Sequence, residues 1–104
     1  MHVFINMELI RYIIWTTSFE DTNLIMSILK PHSTTIVSIS DTIICVEADL
    51  TTAKIRGYVG DDLEMACLEM DEKFINRLLT KKFLKDERKN FERFLGLTKV
   101  PKSI

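Results

Sequence analysis

The nine residues Leu9 to Thr17, Leu-Ile-Arg-Tyr-Ile-Ile-Trp-Thr-Thr, constrain this chain more than any other stretch. They are β-branched or aromatic almost without a break, which suits a pleated, packed surface and predicts a β-strand. Alternation puts Leu9, Ile13 and Trp15 on one side and Ile10, Tyr12 and Ile14 on the other. A strand that is apolar on both sides needs cover on both sides. Whatever else the chain forms must supply two covering layers.

The neighbouring segments supply candidates. Ser18 with Asp21 three residues on resembles a capping box and predicts a helix from about 19 to 30, with Leu24, Ile25, Ile28 and Leu29 at helical spacing. Pro31 ends it, because the residue before a proline avoids helical dihedrals. Residues 33–40 and 42–48 read as two strands joined by a tight turn at Ser40-Asp41. Asp49 suits the N-cap of a helix from Leu50 to about Val59, and Gly60 suits its end. Leu63 to Met70 follows as a fourth strand by position, with helix as the alternative.

From Asp71 the pattern turns helical. Asp71 can cap a helix whose stripe is Ile75, Leu78, Leu79 and Phe83, and the stripe resumes at Phe91, Phe94 and Leu95. The polar run from Lys85 to Asn90 marks a break, Gly96 a stop, and residues 97–104 a tail.

The order β-α-β-β-α-β-α predicts one α+β domain over residues 1–104: a ferredoxin-like βαββαβ core at 9–70 and a basic C-terminal helix or helix pair at 71–96. The expected antiparallel sheet has the order 4-1-3-2, with two helices over one face and the other face open. Tyr12, Ile14, Ile44 and Val46 are the residues expected under the C-terminal helix or a second copy. An apolar sheet face is rarely left wet, so a homodimer is the expected solution.

The run Ser40-Asp41-Thr42-Ile43-Ile44-Cys45-Val46-Glu47-Ala48-Asp49-Leu50-Thr51-Thr52, then a short helix, Asp61-Asp62 and the strand to Met70, resembles the SinR-like relatives of the second core CRISPR-associated protein. GhoS-type antitoxins have a similar build. The resemblance covers roughly residues 9–72 and implies a ferredoxin-like fold. It also implies ribonuclease or metal chemistry at an aspartate just after the first strand. The matching positions here are Thr16, Thr17 and Ser18, with no carboxylate before Glu20 and Asp21, which argues against that chemistry.

Other catalytic patterns are missing. No GxSxG stands around any serine, and His32 simply follows the helix-ending proline. Cys45 and Cys67, with His2 and His32, lack the spacing of a metal site, and both cysteines read as small buried hydrophobes. Asp61, Asp62 and Glu64 read as a solvated turn, and the three glycines are too scattered for a phosphate loop. No cofactor is expected.

Charge is the remaining signal. The net charge of −1 hides a split: residues 1–72 carry 4 basic against 12 acidic side chains, and residues 73–104 carry 10 against 3. Lys73, Arg77, Lys81, Lys82, Lys85, Arg88, Lys89 and Arg93 are the candidate partner- or nucleic-acid-binding residues, with Phe83, Phe91 and Phe94 as candidate stacking rings. The acidic body would repel a phosphate backbone and suits a basic protein surface instead.

The expected function is therefore a small non-enzymatic regulator or inhibitor of a host or cognate protein, antitoxin-like or carried by a virus or mobile element. A nucleic-acid-binding regulator using residues 73–93 is the alternative, and a metal-dependent ribonuclease comes third. No apolar run reaches membrane-spanning length, and Met1 to Glu8 lacks the features of a secretory leader, so the cytoplasm is the expected compartment.

Overall fold

A computed structural model of the chain describes residues 8–80 and 85–99. Within it the elements are β1 (Ile10–Thr16), α1 (Phe19–Leu29), β2 (Thr35–Ser40), β3 (Ile43–Ala48), α2 (Thr52–Val59), β4 (Met65–Glu69), α3 (Glu72–Thr80) and α4 (Arg88–Leu97). One 3-10 turn, Lys30–His32, extends α1 through the proline. The fold is α+β: a four-stranded antiparallel sheet in the order β2-β3-β1-β4, which from the opposite edge is β4-β1-β3-β2, with helices on both faces. This build is compatible with a ferredoxin-like fold.

β1 lies between β3 and β4, and its two sides belong to two cores. On the first side Tyr12, Ile14, Ile44 and Val46 pack with Ile25 and Leu29 of α1 and Ile55 and Val59 of α2. On the second side Ile13 and Cys45 pack with Ile75 and Leu78 of α3 and with Phe91 and Phe94 of α4. The residues assigned from sequence to the C-terminal cover therefore lie under α1 and α2. The C-terminal helices take the odd-numbered face instead. The apolar surface that called for a second copy is covered within the chain.

The caps explain most element boundaries. Ser18 Oγ accepts the Asp21 N–H (3.1 Å) and starts α1. Asp71 Oδ1 accepts the Phe74 N–H (2.8 Å) at the start of α3. The second helix departs from expectation: Thr51, not Asp49, is the cap, because its Oγ1 accepts the Lys54 N–H (3.1 Å), and α2 begins at Thr52. The Cα of Asp49 is still in the bend that leaves β3. Gly60 does end α2, at φ 83°, where a side chain would be strained. The β2–β3 turn sits at Asp41-Thr42, one residue later than expected.

Gly96 does not stop α4, which runs one residue further. Contacts at positions 98 and 99 stop it instead. Thr98 Oγ1 donates to the Leu95 carbonyl (2.7 Å) and accepts from Arg11 (2.7 Å), and the Lys99 N–H donates to both oxygens of Glu47 (3.0 and 2.9 Å). Glu47 is fully buried and also accepts from Thr34 Oγ1 (2.7 Å). Residues 98 and 99, expected as part of a loose tail, are thus bound to the middle of the sheet. Positions 100–104 lie outside the described residues.

Two substitutions test this packing. Phe94→Ala, at a ring with no exposed surface, is expected to lower unfolding stability by about 3–5 kcal/mol in urea titration. Glu47→Gln turns an acceptor oxygen into a donor facing the Lys99 N–H. It is expected to cost about 3 kcal/mol. A change within roughly 0.5 kcal/mol for either would contradict the packing described.

Candidate functional site

Three regions carry chemistry-bearing side chains: the end of β1 with the start of α1, the outer faces of α3 and α4, and the β4 side of the sheet.

At the end of β1, hydroxyl groups occupy the place where the resembled family would put its aspartate. They are engaged in holding the backbone together. Thr16 Oγ1 donates to the Thr22 hydroxyl, which in turn donates to the Asp41 carbonyl (2.7 Å). Thr17 Oγ1 donates to Asp21 Oδ2 (2.9 Å). The cluster ties the β1–α1 junction to the β2–β3 turn.

Neither cysteine is a ready nucleophile. Burial pushes the Cys45 thiol up to about 12 from 9.0, and burial pushes Cys67 up to about 11 against a lowering by the nearby Arg56. His32 stacks flat on Tyr58, with ring centroids 4.0 Å apart, and joins the end of α1 to α2. Among the described residues, no three His, Cys, Asp or Glu side chains converge to hold a metal ion. Asp61, Asp62 and Glu64 are all exposed in and after the turn that precedes β4.

The basic candidates fall on two helices rather than one. Lys73 and Arg77 lie a helical turn apart on α3, Lys85 is in the turn before α4, and Arg88, Lys89 and Arg93 are on α4; all six are exposed. Arg88 is paired with Glu92 in the same helix (2.9 Å). Lys81 and Lys82, like Phe83, lie outside the described residues. Phe91 and Phe94 are core residues with no exposed surface, so they are not platforms for bases. The helices are held to the sheet by apolar packing, which leaves their cations facing outward.

The β4 side carries the exposed acids Asp61, Asp62, Glu64 and Glu69, with Arg56 near Cys67, and is partly apolar. Of the twelve acidic residues at positions 1–72, ten are exposed, Asp21 is half-buried and only Glu47 is buried. An open groove of about 610 Å³ runs along Trp15, Thr17, Arg56, Asp61, Glu64 and Ala66. Beside it Leu68 is 48% exposed. Sequence reasoning singled out none of Leu68, Ala66, Arg11 or Glu47. The signal for the last two was present: an Arg and a Glu inside apolar strands, which the ladder places opposite each other.

No family model matches this chain, and no curated protein or solved structure matches it. Among the described residues no helix is long and apolar enough to cross a membrane.

The buried ionisable groups give a pH test. Burial, with the Glu69 carboxylate adding to it, also pushes Tyr12 up to about 12 from 10.0. All three groups hold their protons more tightly when folded. Stability from them is complete below pH 9, the lowest ordinary value, and is lost as pH rises. Each group adds about 1.4 kcal/mol per pH unit to the decline once its unfolded form ionises. Denaturant titrations between pH 8 and 11 should show a falling midpoint, and thiol reagents should label the protein slowly until it unfolds. A flat profile or fast native labelling would contradict the burial of these groups.

Proposed function

We propose that this chain is a ferredoxin-like βαββαβ domain with two added helices, acting as a non-enzymatic regulator or inhibitor that binds a basic protein surface. The observation that supports this most is the state of its polar groups. The hydroxyls after β1 are committed to the fold and both thiols are buried, while ten carboxylates of the first 72 residues face outward. A surface of that sign speeds encounter with a cationic partner and disfavours nucleic acid. An antitoxin-like role, or blockade of a host factor by a virus- or mobile-element-borne protein, fits such a surface on so small a domain. The cytoplasm is the compartment proposed for it.

A nucleic-acid-binding role is the alternative. It rests on the outward cations of α3 and α4, and in particular on Lys89 and Arg93, one turn apart and both exposed. Its affinity would come from phosphate contacts alone, because the described phenylalanines of α4 are buried.

The two roles separate in one experiment. The tagged full chain is recovered from its producing cells with and without nuclease treatment. A stoichiometric protein complex that survives nuclease, and weakens when Asp61, Asp62 and Glu64 are changed to Lys, is the expected result. Recovery of RNA or DNA that is lost on changing Lys85, Lys89 and Arg93 to Glu would overturn it in favour of the alternative. Magnesium-dependent RNA breakdown abolished by Asp61→Asn and Asp62→Asn would overturn it in favour of an enzyme.

A further inference from the structure

The two edges of the sheet are finished differently. Along β2 the register shifts between Ser38 and Ser40, and α4 lies against the strand. Asn90 donates to the Ile39 carbonyl (3.3 Å), and Thr35 Oγ1 donates to the Leu97 carbonyl (3.3 Å). A bulge and a covering helix are the usual protections of an edge. β4 has neither. Its pairing with β1 is unbroken from Met65 to Glu69, and no proline interrupts it.

The direction of its backbone groups follows from one bond. The Met70 N–H donates to the Arg11 carbonyl (2.7 Å). In an antiparallel ladder, bonded and non-bonded pairs alternate. Leu68 and Ala66, the partners of Ile13 and Trp15, therefore bond inward to β1. Met65, Cys67 and Glu69 point their N–H and C=O groups away from β1; of the three, Glu69 is exposed, Met65 half-buried and Cys67 buried. On the face shared by Ile13 and Trp15, Leu68 and Ala66 are exposed, so the open edge has an apolar strip beside it.

Its charge selects the partner. From Asp61 to Asp71 the chain has five acidic residues and no Lys or Arg, and Asp61, Asp62, Glu64 and Glu69 are all exposed around the strand. A second copy pairing here would bring this acidic segment against itself. An extended basic segment would bring opposite charges together.

We propose that β4 is the docking edge, and that it takes an extended basic peptide segment of a partner protein as a fifth strand. The segment carries apolar side chains at alternate positions, beside Ala66 and Leu68, and lysine or arginine between them, toward Glu69 and the acids of the preceding turn. Main-chain bonds at Met65, Cys67 and Glu69 hold it, and charge sets its preference. This deepens the protein-binding role proposed above and rests on it.

The test uses the full chain and a synthetic eight-residue peptide of alternating Lys and Val. Added peptide should slow amide hydrogen exchange at Met65, Cys67 and Glu69 and leave Ala66 and Leu68 unchanged. The same peptide with the backbone nitrogens of one central Lys and the adjacent Val methylated, which removes an inward N–H whichever way the segment runs, should bind about tenfold more weakly or not at all, the loss expected for broken ladder bonds. Glu69→Pro in the protein removes an outward N–H without touching the ladder to β1, and should weaken binding more than Glu69→Gln, which removes the charge alone. Equal binding of the N-methylated peptide, or slowed exchange only elsewhere, overturns the proposal. So does protection of the same three amides that grows with protein concentration alone, which would give the edge to a second copy. A nuclease-resistant partner complex insensitive to Glu69→Pro would sink the edge and leave the protein-binding role standing. Peptide bound at the edge, with nucleic acid recovered from cells, would do the reverse.

Discussion

A carboxylate with no exposed surface sits on β3, the second of the two central strands, and the placement of α4 depends on it. A buried charge is tolerated only when its oxygens are hydrogen-bonded. Glu47 meets that demand with Thr34 at the start of β2 and with the backbone of Lys99, just past α4. Arg11 stands opposite it in the ladder with β1 and reaches Thr98. Apolar packing alone would let a helix carrying Phe91 and Phe94 slide over the sheet, since dispersion and burial are non-directional. The polar contacts at 98 and 99 fix where along the sheet that helix ends.

This constraint explains why the molecule has two cores. β1 needed cover on both faces, and α1 and α2, the two helices inside the βαββαβ order, can serve only one of them. The other face had two solutions, a second copy or more of the same chain. Ile75, Leu78, Phe91 and Phe94 supply the second solution. Once they do, the cations described on α3 and α4 face outward, because a helix that buries one stripe turns the opposite stripe to water. The basic character of residues 73–93 is thus partly a by-product of covering the sheet.

Much of the fold was legible because period and caps agree in the sequence. The alternation in β1 and β3 correctly separated Ile13 and Cys45 from Tyr12, Ile14, Ile44 and Val46. Ser18, Gly60 and Asp71 marked ends by local chemistry that needs no tertiary context. The errors came where local options compete. Asp49 and Thr51 are both good caps, and the choice depends on where β3 releases the chain. Gly96 looks like a terminator, yet the helix end is decided by Glu47, far away in the chain. Which apolar face each helix pair takes depends on how the chain crosses the sheet, which periodicity does not encode. The function was less legible still, because surface charge states a sign without stating a geometry. Leu68 and Ala66 look like ordinary strand residues until the structure places them, exposed, on an edge strand.

The resulting charge arrangement has a physical consequence of its own. The excess acids belong to the βαββαβ segment and the turn before β4, whereas the outward cations ride on α3 and α4, which cover the odd-numbered face alone. Charges of opposite sign segregated onto different elements give a molecule whose net charge is near zero but whose field is not. A cationic partner approaching it feels a torque before it feels a contact, and arrives with the acidic side turned toward it. Complementary fields of this kind set encounter rate and orientation more than final affinity. Affinity would then come from short-range groups on the side that has been turned inward, and among the described residues the outward backbone amides and carbonyls of β4 are the groups proposed for that part.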